Sequence, residues 1–145
     1  MGSFAVVTRD RRPGLVALVV LGGTVGTGLR DLVGTVFGGP AVALPWATLA
    51  INVSGAFLLG GLVRFLAVRV PDADRRRALQ VTLGTGLLGG WTTYSTFALE
   101  IVELSSGGSV GLAVAYAGVS VVAGIGAAAA ASASVQRFVG AGESA

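Results

Sequence analysis

Charged residues fall in clusters that leave four uncharged runs along the chain, at 13–29, 32–63, 78–99 and 104–136. Each run approaches or exceeds the roughly 17 to 20 residues that an α-helix needs to cross a bilayer core. The pattern predicts an all-α membrane protein with four transmembrane helices, near 13–37, 45–68, 78–104 and 110–136, as a single domain over residues 1–145. Pro13 suits the first turn of helix 1, where its missing N–H costs no hydrogen bond, and Pro45 does the same for helix 2 beside an interfacial Trp46. Gly22, Gly26, Gly34 and Gly38 in helix 1 form two small-xxx-small pairs, the spacing that lets helix backbones approach closely in lipid. "VRVPDADRRR" reads as a charged loop between helices 2 and 3, and "SSGGS" as the turn before helix 4.

Composition supports this pattern. Of 145 residues, 53% are hydrophobic and 12% charged, against roughly a quarter charged in soluble domains. Mean hydropathy is +0.82. Neither cysteine nor histidine occurs, which removes thiol chemistry, disulfides, imidazole metal sites and histidine-based triads, so an enzyme is not expected. The first apolar run reaches spanning length with no cleavage-site pattern, so helix 1 is expected to be retained. The net charge of +3 comes from ten arginines set near membrane boundaries, where topology explains them better than nucleic acid does. With an even number of spans, nine of these ten arginines lie on the side of the termini and Arg30 alone lies on the other. That bias predicts cytoplasmic termini in a cell inner (plasma) membrane.

Polar groups inside a bilayer are costly and mark functional positions unless packing accounts for them. Four places qualify. Arg30, about 27 Å of rise along helix 1, either snorkels to the headgroups, pairs with Asp31, or serves transport. Asn52 in "INVSGAFLLG" offers two donors and an acceptor, either to a neighbouring helix or to a passing anion. Tyr116 and Ser120 share one face of helix 4, although serine can return its hydroxyl to its own helix backbone. The fourth is "GGWTTYSTF", where Gly89 and Gly90 precede the hydroxyls of Thr92, Thr93, Tyr94, Ser95 and Thr96. Counting from the expected start of helix 3 puts this stretch 15 to 21 Å in, near the bilayer midplane, where the glycines permit a break. Freed carbonyls at such a break can coordinate a cation. "GTGLLG" also fits a dinucleotide-binding pattern, but that motif needs a strand before it and this one lies within a spanning helix.

Together, "GGWTTYSTF", "INVSGAFLLG" and Arg30 in "GGTVGTGLR" resemble the signature set of the CrcB/Fluc fluoride channel family, over essentially the whole chain. The resemblance implies a dimer of antiparallel subunits, two fluoride pores along their interface, and a structural sodium ion (Na+) held by main-chain carbonyls at the break in helix 3. It places those carbonyls at Gly89 and Thr92, ion-path aromatics at Tyr94 and Phe97, and a polar track at Asn52, Ser95, Thr96 and Ser120, with Tyr116 beside it and Arg30 near a pore vestibule. Tyr94 departs from the family's usual phenylalanine.

A proton-coupled small multidrug exporter is a rival, but it needs a membrane-embedded carboxylate, and Asp31, Glu100 and Glu103 are all expected near helix ends. A non-transporting assembly subunit would leave the hydroxyl run unexplained. The arginine bias sits poorly with a chain that inserts both ways, so a homologous subunit of opposite orientation is the expected dimer partner.

Overall fold

A computed structural model describes residues 13–37 and 44–141. Gly38, Arg9, Arg11 and Arg12 lie outside the described residues. Helix α1 covers Pro13–Phe37 and α2 covers Trp46–Arg69, both within a residue of the expected bounds. A third segment follows: a short helix α3 (Ala73–Leu79), a π-helical stretch (Gln80–Leu88), a single turn α4 (Gly89–Trp91), a break, and α5 (Ser95–Ser106). Helix α6 (Val110–Ala141) closes the chain. Among the described residues three helices, at Pro13–Phe37, Trp46–Arg69 and Val110–Val139, are individually long and apolar enough to cross a membrane.

The third segment starts earlier than the sequence suggested. The charges of "PDADRRR" read as loop, yet they form the first turns of α3 because Asp72 caps it, accepting from Arg75 N–H at 2.6 Å. Asp74 in the first turn and Arg76 and Arg77 in the last match the helix dipole. At the other end, α5 closes on a glycine cap: Gly108 adopts φ +83°, Ser109 N–H donates to Leu104 O, and Gly108 N–H donates to Ser105 O.

Few side chains are buried, and large apolar ones such as Leu21, Val36, Val122 and Ile125 are mostly exposed. For a chain this hydrophobic, such faces are the ones lipid covers. Helix α2 packs chiefly on α6, and α1 on the π-helical stretch and α4. Glycine makes the second contact possible. A methyl group at Gly26 would overlap the Leu87 carbonyl, and one at Gly90 would overlap the Gly23 carbonyl. Gly22 is nearly as tight, whereas nothing within 4 Å surrounds Gly34. The first small-xxx-small pair therefore packs within the chain.

Candidate functional site

The break in the third segment is made by Thr92 and Thr93. Thr92 turns extended, at φ −78° and ψ 156°, while Gly89 just before it is ordinary helix at φ −65° and ψ −34°. The break therefore does not rest on unusual glycine dihedrals: among the described glycines positive φ occurs at Gly108, not at Gly89 or Gly90. Gly90 instead allows α1 to come close. Asn52 replaces the lost helical bonds: its Nδ2 donates to Thr93 O at 2.9 Å and its Oδ1 accepts from Thr93 N–H at 2.8 Å. A backbone N–H and C=O facing one side chain fix which end of the amide is oxygen. The second Nδ2 hydrogen remains available.

Thr93 restarts the helix. Its hydroxyl accepts from Thr96 N–H at 3.2 Å in the first turn of α5, donates to Thr96 Oγ1 at 3.0 Å and lies 3.3 Å from Ser95 Oγ. On the other side of the break, Arg30 Nη1 donates to Thr92 O at 3.1 Å. Of the alternatives open for Arg30, the structure thus turns it inward onto the break. Trp91 Nε1 donates to Ser54 Oγ at 3.0 Å, tying α4 to α2.

Beside the break lies a groove of about 430 Å³, to which Asn52, Gly89, Thr92, Tyr94, Phe97 and Ser120 all contribute. Six of the ten residues expected from the sequence are thereby brought together. Ser95 and Thr96 sit on the exposed start of α5, Tyr116 is buried behind the groove, and Arg30 approaches from α1. Tyr94, Phe97 and Tyr116 form a tilted aromatic row, with centroids 6.2 Å and then 5.4 Å apart. Tyr94 is 80% exposed, so in one chain the groove has an open wall. Ser120 Oγ is buried beside the Tyr116 hydroxyl and has no hydrogen-bond partner among the described residues. It does not return its hydroxyl to the helix.

Glu100 corrects the sequence reading. Expected near a helix end, it is the sixth residue of α5, about 8 Å of rise beyond the break. Its Oε1 accepts from Thr48 Oγ1 at 2.6 Å and its Oε2 from Tyr116 Oη at 2.7 Å. Thr48 and Glu100 were missed as site residues, and Thr93, seen in the hydroxyl run, was not given a role of its own. The usable signal for Glu100 was its place four residues after Thr96, which puts it on the side of α5 that carries the polar track.

Multiple apolar helices around a broken segment, with a mostly apolar groove into which a few polar side chains converge, define an all-α, multi-pass membrane protein. Comparisons make the class specific. The model of the family described as "CrcB-like protein, Camphor Resistance (CrcB)" matches residues 17–132. The "Fluoride-specific ion channel FluC 1" of Cutibacterium acnes is 45% identical over 115 residues, 79% of this chain and 80% of that protein. The "Fluoride-specific ion channel FluC" of Novosphingobium aromaticivorans is 44% identical over 112 residues, 75% of this chain and 86% of that protein. The "Fluoride-specific ion channel FluC 2" of Leifsonia xyli is 44% identical over 108 residues, 74% and 73% of the two chains. The chain belongs to the CrcB/Fluc family. That is a family of channels, which bears out the expectation that the chain is not an enzyme.

Proposed function

We propose that the chain forms a fluoride channel that lets fluoride leave the cytoplasm down its gradient. Ser120 carries the reading: a buried hydroxyl without a firm partner, lining a groove beside the spare amide hydrogen of Asn52 and the ring of Phe97. Fluoride gives up a tight hydration shell, so its path needs replacement donors that are neutral and serial, and therefore do not trap it. Hydroxyls, an amide N–H and the positive edge of a phenyl ring meet that need. Expression in a bacterium made fluoride-sensitive by loss of its own exporter should restore growth in fluoride.

The open wall at Tyr94 calls for a second subunit, set antiparallel about a twofold axis in the membrane plane, which would place the break at the midplane. The arginine bias favours a homologous partner of opposite orientation, with the termini of this chain cytoplasmic.

The break also fits a structural sodium ion. Thr93 N–H, which would reach Gly89 O in a continued helix, goes to Asn52 instead, and Thr92 O keeps a lone pair beyond its bond from Arg30. Hard, neutral oxygens suit an alkali cation, and one chain supplies two of them, so the remainder must come from the partner. When bound, the ion would tie the two subunits together; loss of sodium should therefore lower the dimer's melting temperature whatever the flux.

One observation favours the exporter alternative, namely a carboxyl at Glu100 inside α5. Proton-coupled export requires flux that follows an imposed pH gradient, whereas the channel reading requires flux that follows the fluoride gradient alone.

A further inference from the structure

On the face of α2 turned away from the site, a second groove runs between α2 and α6. Phe57, Gly61 and Phe65 recur every four residues and share that face, opposite Asn52, Ala56 and Leu59, which line or flank the ion path. The groove exists because the two helices touch through small residues. A methyl group at Gly60 would overlap Ala128, and one at Gly61 would lie 3.6 Å from the Ala131 methyl. Large side chains on either side, Phe65 and Phe138, then stand up as walls. Two cavities of about 520 Å³ and about 390 Å³ share Phe65, Val135 and Phe138 and so form one trough.

The trough has a charged mouth. It runs from Phe57 to Arg69, twelve steps along α2, or about 18 Å at 1.5 Å per residue, close to half of a roughly 30 Å hydrocarbon core. Arg69 lines its end, exposed and with no hydrogen bond or ion pair to any described residue. Arg137 precedes Phe138 in α6, at the same end of the molecule. Among the described residues at this end of the molecule, six arginines stand against only Asp72 and Asp74.

We propose that this trough is a binding site for one anionic phospholipid, with an acyl chain lying between Phe65 and Phe138 and the headgroup phosphate on Arg69. The length matches one leaflet's acyl chain, the unpaired guanidinium matches a net negative headgroup, and a subunit seated over the ion path leaves this opposite face to lipid. A juxtamembrane arginine is worth about fivefold in affinity for an anionic surface.

Native mass spectrometry of the assembled protein, titrated with phosphatidylglycerol or phosphatidylcholine of identical chains, tests the site. Phosphatidylglycerol should be retained about fivefold better, and Arg69→Gln should reduce its retention to the phosphatidylcholine level without altering the latter. Equal retention of both lipids, or phosphatidylglycerol preference unchanged in Arg69→Gln, overturns the proposal. A photo-crosslinking phenylalanine analogue placed at Phe65 should give an adduct of one phospholipid mass. An adduct with a second copy of the chain would overturn it, because a protein surface would then fill the trough. Inorganic phosphate at millimolar concentration should not displace the lipid; displacement would show headgroup chemistry alone and overturn the acyl-chain half of the site.

Discussion

Replacing Asn52 by alanine removes two hydrogen bonds at once and leaves Thr93 N–H and C=O facing an apolar gap. Hydrogen bonds between helices in a membrane average about 0.6 kcal/mol and reach about 1.7, so the pair accounts for about 1 to 3 kcal/mol. The upper part of that range applies, because Thr93 is 7% exposed and its extended neighbour Thr92 leaves those groups no helical partner, while an orphaned buried polar group costs about 1 to 3 kcal/mol by itself. A loss of about 2 to 3 kcal/mol follows, or roughly 30- to 150-fold in the equilibrium that holds the break in shape. Asn52→Asp should do no better, since it keeps the acceptor for Thr93 N–H but turns a second oxygen onto Thr93 O. Equilibrium unfolding in mixed micelles reads the stability, gel filtration the assembly, and fluoride efflux from liposomes the function. Because both bonds lie within one chain, the assembly should persist while stability and flux fall. An alanine variant within about twofold of the native protein in both would refute the bracing of the break by Asn52; loss of the assembly alone would make Asn52 a contact between subunits instead.

Five further substitutions probe the site and the packing around it. Phe97→Ala should slow fluoride flux at least tenfold in a protein that still elutes as an assembly, because its ring both lines the groove and joins Tyr94 to Tyr116. Glu100→Gln should lower the melting temperature, since an NH2 group then replaces one of the two oxygens and cannot accept from the hydroxyl that faced it, and Thr48→Ala in the same background should then cost less than it does alone. Gly26→Val should abolish folded protein by driving a side chain into the Leu87 carbonyl, whereas Gly28→Val, with nothing within 4 Å, should express normally.

The sequence made the helices legible where charge was absent and misplaced them where charge was present. Runs without charge gave α1 and α2 almost to the residue, because apolar length is what a bilayer selects. "PDADRRR" was misread since arginines next to a proline look like loop, while an Asp72 cap and dipole-matched charges make them helix. The same error of origin hid Glu100: a segment taken to end near Leu104 put that acid at its edge, but α5 begins afresh at Ser95. The place of the break could be read from the hydroxyl run, and its cause could not, because the bonds that hold it come from Asn52, some forty positions earlier. Asn52, Phe97 and Ser120 were all visible as polar or aromatic positions, but only the packing of α6 on α2 brings them to one groove.

Efflux of fluoride from liposomes holding the purified protein, with its partner subunit if one is required, tests most directly whether this groove is a fluoride path. A fluoride electrode should record rapid release down the gradient, insensitive to an imposed pH gradient, with chloride retained under the same conditions and release slowed in Ser120→Ala. Chloride release as fast as fluoride release, or fluoride release that appears only with a pH gradient, would contradict it.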